Sequence, residues 1–277
     1  MRHPEIALLL TTYQKPSHLQ RVLTSIAMQR DVVGRFELAV ADDGSTDETA
    51  AIVEQFRRQS LFRVVFTTHP HTTFHPARSR NEAAAATTAP YLLLLDGDCV
   101  LPADHVLEHL KHRTPNTAML GDCCRLDEAT SNRITIDRIR SGEFAKSAPA
   151  DELKRLARLD RKRRFYAWLG HRTKPKLISN NAGIWRSDFE RINGFDENYQ
   201  GWGCEDDDLG QRLRQSGVRL SSILRYTRSY HIWHPRDVTA GSTWRDGPNV
   251  EYFLKPGKPT RCVNGLSKPE MPKRLAG

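Results

Sequence analysis

Tyr91-Leu92-Leu93-Leu94-Leu95-Asp96-Gly97-Asp98 is the stretch that decides the fold. Five apolar residues in a row are too short for a stable helix and suit a strand buried on both faces. The run stops at two carboxylates separated by one glycine. The same grammar occurs earlier, where Phe36–Ala41 reads as a strand running into Asp42-Asp43-Gly44-Ser45-Thr46-Asp47. Working outward, Ile6–Thr11 and Arg63–Thr67 are two more strands. Pro16–Gln29 is an amphipathic helix with Leu19, Val22, Leu23 and Ile26 on one face and Ser17 as its cap. Glu48–Gln59 and the alanine-rich Ala77–Thr88 are also helical. Strands alternating with helices at this spacing predict an α/β protein with a mostly parallel sheet flanked by helices. Ligands of such sheets bind beyond the carboxyl ends of the strands, so both acidic clusters belong to one edge.

The second half has a different texture. Leu153–Trp168 reads as a basic helix and Ser179–Arg186 as a short strand. A helix begins at Asp188–Ile192, and Gly194-Phe195-Asp196 makes a turn. Asp206–Ser216 is a helix with Leu209 and Leu213 on one face, closed by Gly217. Arg219–Ile223 and Ser229–Trp233 are strand-like. From Gly241 the recurring proline, glycine and lysine predict an irregular, partly mobile tail. The division expected is 1–122, 123–177, 178–240 and 241–277.

The 277 residues carry a net charge of +9, and its location matters more than its size. Residues 133–176 hold fourteen basic and five acidic residues, so this segment accounts for the whole surplus. That excludes a uniformly basic nucleic-acid coat and leaves a local basic element. The bland expectation for it is a solvated helix with its aromatics packed on the core. A peripheral contact with anionic membrane is a second reading, and an acidic acceptor a third. No run approaches the ~20 apolar residues of a membrane helix, and residues 1–30 do not read as a signal peptide. Five cysteines without CxxC spacing argue against a disulfide framework and suit a reducing cytoplasm.

Four segments carry chemistry. Asp96 and Asp98 form a hard-oxygen site for a divalent cation, or else a solvated turn. Asp42 and Asp43 can accept hydrogen bonds from a nucleobase or ribose, while Ser45 or Thr46 caps the next helix. No Gly-rich phosphate loop is present, so Arg78 and Arg80 are the candidates for balancing a pyrophosphate. Gly201-Trp202-Gly203-Cys204-Glu205-Asp206-Asp207-Asp208 sets an aromatic ring and four carboxylates together. A helix N-terminus accounts for some of these acids, but not for the tryptophan between glycines. The ring can stack on a sugar, and an Asp can take a proton from an acceptor hydroxyl. Finally, His231 and His234 have a spacing that serves one metal only if the chain turns between them, since positions i and i+3 of a straight strand face opposite sides.

Taken in order, these segments resemble the GT-A glycosyltransferases. The opening strand, DDGSTD, ARSRN and LLLLDGD are similar to family 2. NNAGIWRSDFERINGFDE followed by GWGCEDDD is similar to the galactosyltransferase C-terminal region. The resemblance implies a Rossmann-like GT-A sheet, a C-terminal acceptor-binding region, a UDP-sugar donor and Mn²⁺ or Mg²⁺. It implies that Thr11 and Tyr13 line the base pocket, that Asp42 and Asp43 hold uracil and ribose, and that Arg80 lies near the pyrophosphate. Asp96 faces ribose and metal waters. Asp98 is the direct metal ligand, with His231 and His234 as further ligands. Asp206 matches the general base of inverting members; Trp202, Glu205, Asp207, Asn181 and Gly183 lie at the sugars. Cys204 departs from the pattern, standing where relatives carry a second glycine. The expected activity is transfer of a hexose or N-acetylhexosamine to a hydroxyl acceptor at the cytoplasmic side. A nucleotidyltransferase and a non-catalytic carbohydrate- or membrane-binding protein are the alternatives.

Overall fold

A computed structural model of the chain describes residues 3–235 and 244–268. Ten strands are formed among the described residues: β1 Ile6–Thr12, β2 Phe36–Asp42, β3 Val64–Thr68, β4 Tyr91–Asp96, β5 Cys99–Val100, β6 Thr117–Leu120, β7 Cys123–Arg125, β8 Asn181–Trp185, β9 Arg219–Ser222 and β10 Ser229–His231. Between them run α1 Pro16–Ala27, α2 Thr49–Gln59, α3 Pro76–Ala85, α4 His105–His112, α5 Glu128–Asn132, α6 Ile136–Arg140, α7 Ala150–Leu169, α8 Arg186–Arg191 and α9 Glu205–Gln215, with α10 Val250–Leu254 last. The main sheet has the order β3-β2-β1-β4-β8-β6-β9, and a small sheet has the order β5-β10-β7. The first four strands are mutually parallel, and β8 runs antiparallel to both β4 and β6. The two halves of the chain therefore share one sheet.

Alternation along the strands builds two cores. Ile6, Leu8 and Leu10 face one side with Leu38, Val40, Leu93 and Leu95, and α1 covers them with Leu19, Val22, Leu23 and Ile26. Ala7 and Leu9 face the other side with Ala39 and Ala41, under the alanines of α3. Small residues on both partners let α3 lie close to the sheet, which brings its arginines to the strand ends. Ser17 does not cap α1: Lys15 occupies the cap position without a side-chain bond, and Pro16 opens the helix.

Residues 244–268 are more ordered than their composition predicts. They contain α10, and Asn193 grips the segment by donating to the carbonyls of Cys262 (2.9 Å) and Ser267 (3.0 Å). Leu266 packs on the second core. The remaining parts of the expected tail, 241–243 and 269–277, lie outside the described residues, as does 236–240. Among the described residues no helix is long and apolar enough to cross a membrane.

Gly183 sits where β8 crosses the fully buried Tyr91 of β4, and a Cβ there would meet the Tyr91 hydroxyl at 2.2 Å. Gly183→Ala is expected to cost about 1–3 kcal/mol through overpacking, read as a lower thermal midpoint. An unchanged midpoint would mean that Tyr91 swings aside freely.

Candidate active site

The carboxyl ends of β1, β2 and β4 open into a cleft of about 470 Å³. Register sets its floor, pairing Thr11 with Asp96 and Thr12 with Asp42. After β4 the chain passes close under β1, and the Gly97 N–H donates to the Thr11 carbonyl at 2.7 Å. A Cβ at Gly97 would lie 2.7 Å from the same oxygen, so the residue between the two aspartates has to be glycine.

Asp98 is the first pole of the site. Its Oδ2 lies 3.0 Å from Lys15 Nζ and 3.0 Å from His234 Nε2, and its Oδ1 lies 3.7 Å from His231 Nε2. His231 arrives because β10 pairs with β5, and the Ile232 N–H donates to the Asp98 carbonyl at 2.8 Å. The strand ends there. Trp233 turns its N–H to Ser131 Oγ (2.8 Å), and this bend brings His234 to the same carboxylate. Potential ligand atoms of Asp98, His231 and His234 lie within 4.8 Å of one another, so they can share a divalent cation. Burial opposes ionisation of Asp98. The His234 hydrogen bond and the charges of Lys15 and His231 outweigh it and hold the carboxyl well below the usual range. Burial lowers the pKa of His231, whereas the bond to Asp98 raises that of His234.

Arg80 is the second pole. It is 5% exposed, with a guanidinium nitrogen 3.0 Å from Asp96 Oδ1 and another 3.5 Å from Glu205 Oε1. The guanidinium also lies over the Phe195 ring at 5.4 Å. Glu205 and Asp206 open α9, where the helix dipole favours carboxylates. Asp206 Oδ2 accepts from the Ser179 N–H at 2.9 Å. Asp206 Oδ1 and Glu205 Oε2 have no hydrogen-bond partner among the described residues. Burial, aided by the charge of Asp206 and opposed by Arg80, pushes Glu205 up to about 7. Burial also raises Asp206, again against the pull of Arg80. Cys204, before the helix, has φ +73°, a conformation that glycine adopts with little strain.

Thr11, Tyr13, Asp43, Arg80, Asp96, Asp98, Trp202, His231 and His234 all line the cleft. Asp42 does not. Its oxygens accept from the Ser45 N–H and hydroxyl and from Thr68 Oγ1, which closes the turn after β2. Asp207 faces another cavity and binds Lys176 Nζ at 2.6 Å. Asn181 Oδ1 is bonded to His109 Nε2 at 2.9 Å, and Gly183 backs Tyr91, so both serve packing in the sheet rather than the cleft. Arg78 is held by Glu82 at 2.8 Å. Glu48, not Ser45 or Thr46, holds the cap position of α2 and makes no side-chain cap bond, while Asp47 accepts from the Thr49 N–H at 2.9 Å.

Sequence reading missed two contributors. Lys15, two residues after Tyr13, enters the cleft and pairs with Asp98. The segment after β3 supplies three histidines. His69 bridges Asp43 and Glu82 at 2.8 Å each, the His75 N–H donates to Asp43 at 3.0 Å, and His71 stacks on Tyr13 with ring centroids 4.3 Å apart. The crowding of histidine in 69–75 was the available signal.

Arg80→Met leaves buried carboxylates without their cation and is expected to cost about 3–5 kcal/mol, partly recovered by adding Glu205→Gln. Glu205 holds its proton to about pH 7 when folded, against 4.5 for the ordinary side chain. Between those values the unfolded chain binds fewer protons at this residue, so its contribution makes stability fall as pH rises. Denaturant melts across that window should show a flatter decline in Glu205→Gln than in the wild type.

A sequence model described as glycosyl transferase family 2 matches residues 8–171, and one described as the N-terminal domain of galactosyltransferase matches residues 161–235. Validoxylamine A glucosyltransferase of Streptomyces hygroscopicus subsp. jinggangensis is 29% identical over 232 residues, covering 79% of this chain and 53% of its own. Human beta-1,4-galactosyltransferase 2 is 37% identical over 75 residues, 27% of this chain and 18% of its own. Among solved structures, the mannosyltransferase PcManGT from Pyrobaculum calidifontis, in complex with GDP-Man and Mn²⁺, has a TM-score of 0.57 at 17% identity, covering 80% of this chain and 55% of that one. S. aureus TarS 1-349 in complex with UDP-GlcNAc has a TM-score of 0.56 at 15% identity, with 84% and 60% covered. The chain spans about half the length of the curated glucosyltransferases it matches. The architecture is GT-A, and with the family 2 model matched over more than half of its length the chain belongs to glycosyl transferase family 2.

Proposed function

We propose that the chain is a metal-dependent, inverting glycosyltransferase that moves a hexose or N-acetylhexosamine from a UDP-sugar to a hydroxyl of a glycan, glycolipid or small molecule. One observation carries this reading: Asp98, His231 and His234, which can share a cation, stand at the same strand ends as Arg80, whose partners are Asp96 and the buried Glu205 at the start of α9. Complexes of structural neighbours with UDP-GlcNAc, and with GDP-Man and Mn²⁺, support a nucleotide-sugar donor and a divalent ion. The family match favours this reading over a nucleotidyltransferase or a non-catalytic binder.

One carboxylate and two imidazoles suit Mn²⁺ better than Mg²⁺, which prefers oxygen ligands alone. Such an ion, when bound, supplies Lewis-acid neutralisation of the leaving diphosphate. Thr11, Tyr13 and Asp43 hold the base and ribose, and Arg80 fixes the orientation of Asp96. Trp202, on the cleft wall, offers its ring to a sugar face. Asp206 takes the acceptor proton. Burial makes it more basic than an ordinary aspartate, and its unpaired Oδ1 is the atom left to accept. Glu205, protonated near neutrality, can donate to a sugar hydroxyl.

Lys15 favours a second reading. Its ammonium already balances Asp98 at 3.0 Å, so it could serve the diphosphate without a metal. Release of UDP from a panel of UDP-sugars, with Mn²⁺ and then with EDTA, separates the two. The metal reading expects activity to collapse with EDTA and return with Mn²⁺. Activity that survives EDTA but is lost in Lys15→Met supports the second. Asp206→Asn should lower turnover about 10²–10⁴-fold while UDP binding by calorimetry is kept; near wild-type turnover removes Asp206 from the role.

A further inference from the structure

Helix α7 ends in a surface that the proposed chemistry does not use. Phe165, Trp168 and Leu169 are 55%, 79% and 56% exposed. They fall at positions i, i+3 and i+4, hence on one face of the last turn, and the Phe165 and Trp168 rings lie 6.0 Å apart. Gly170, at φ +63°, stops the helix directly behind them. The patch is therefore the exposed tip of a helix that ends there. Contiguous exposed aromatic surface of this kind marks an interaction site.

The charge around the tip is of one sign. Arg158, Arg161, Lys162, Arg164 and Arg172 are all exposed, and no acidic residue occurs between Arg161 and Lys176. Asp160, the one acid in the second half of α7, is buried and paired with Arg164 at 3.4 Å. A cavity of about 440 Å³ beside the helix end adds Lys174 and Arg214 to the rim. In contrast, Arg155 and Arg163 turn inward to Asp122, at 3.7 and 3.6 Å, and anchor the helix on the body of the protein. The basic residues thus divide into an inner pair that fixes α7 and an outer ring around exposed aromatics.

Aromatic side chains prefer the headgroup boundary of a bilayer, and a ring of Lys and Arg is attracted to anionic lipid. We propose that the carboxyl end of α7 is a membrane-docking tip that inserts Phe165, Trp168 and Leu169 at the surface of an anionic bilayer. The occupant is the lipid surface itself, chosen by charge complementarity with the exposed basic residues and by the exposed aromatics among them.

Co-sedimentation of the full chain with vesicles tests this, using phosphatidylcholine alone and phosphatidylcholine mixed with phosphatidylglycerol. Wild type should pellet with the mixed vesicles and far less with the neutral ones. Phe165→Ser with Trp168→Ser should weaken binding about tenfold or more. Arg158→Gln, Arg161→Gln and Lys162→Gln together should weaken it roughly a hundredfold on mixed vesicles. Circular dichroism checks that both variants stay folded; the residues are exposed, so unfolding is not expected. Equal, negligible pelleting of wild type with both vesicles overturns the proposal, as does binding that neither variant weakens. Self-association abolished by the Ser variant, without vesicle binding, also overturns it by assigning the patch to a second copy of the chain.

Discussion

The site depends on one buried cation. Arg80 leaves α3, meets Asp96 at the end of β4 and reaches Glu205 at the start of α9. A guanidinium at this depth is tolerable only with ionised partners, and carboxylates at this depth need the guanidinium. The contact joins a helix of the first half to a helix of the second, and it leaves more carboxylates than cations. That surplus, together with burial, is why Glu205 keeps a proton near neutrality and why Asp206 is more basic than a surface aspartate. The same ion pair that joins the two halves therefore also sets the protonation of the carboxylates that open α9.

Asp98 solves the opposite problem. Here one buried carboxylate faces Lys15, His231 and His234, and the Lys15 charge with the His234 hydrogen bond keeps it ionised despite burial. Its backbone also accepts from Ile232, so the short β5–β10 ladder is what holds the histidines in reach. Both clusters belong to the end of one strand, Asp96 as the last residue of β4 and Asp98 in the turn directly after it.

Much of this was legible in the sequence. The first four strands followed from their apolar runs, and the helices read beside them shifted by only a few residues at their ends, whereas β5, β6 and β7 are too short to show as runs. The aspartate clusters landed at one edge because a parallel sheet offers no other place for residues that end its strands. The distinction between Asp42 and Asp43 was not legible. They are adjacent and chemically identical, but Asp42 ends β2 and is taken up by Ser45 and Thr68, while Asp43, in the bend beyond the strand, lines the cleft. Asn181 and Gly183 read as site residues by resemblance, yet His109 and Tyr91 claim them through contacts 72 and 92 positions away in sequence. The ordered segment near Asn193 was hidden for the same reason: proline and glycine describe local freedom, while hydrogen bonds to distant carbonyls remove it.

The sequence by itself determined which residues could do chemistry and which strands would carry them, because periodicity and residue type are local properties. It also located the basic surplus in one segment. Tertiary structure alone decided the bend that turns His234 onto Asp98, the burial that raises Glu205, and the split of the basic segment into anchoring arginines and an exposed aromatic tip. Each of those depends on long-range packing and on the water it excludes, and neither is written in the order of neighbouring residues.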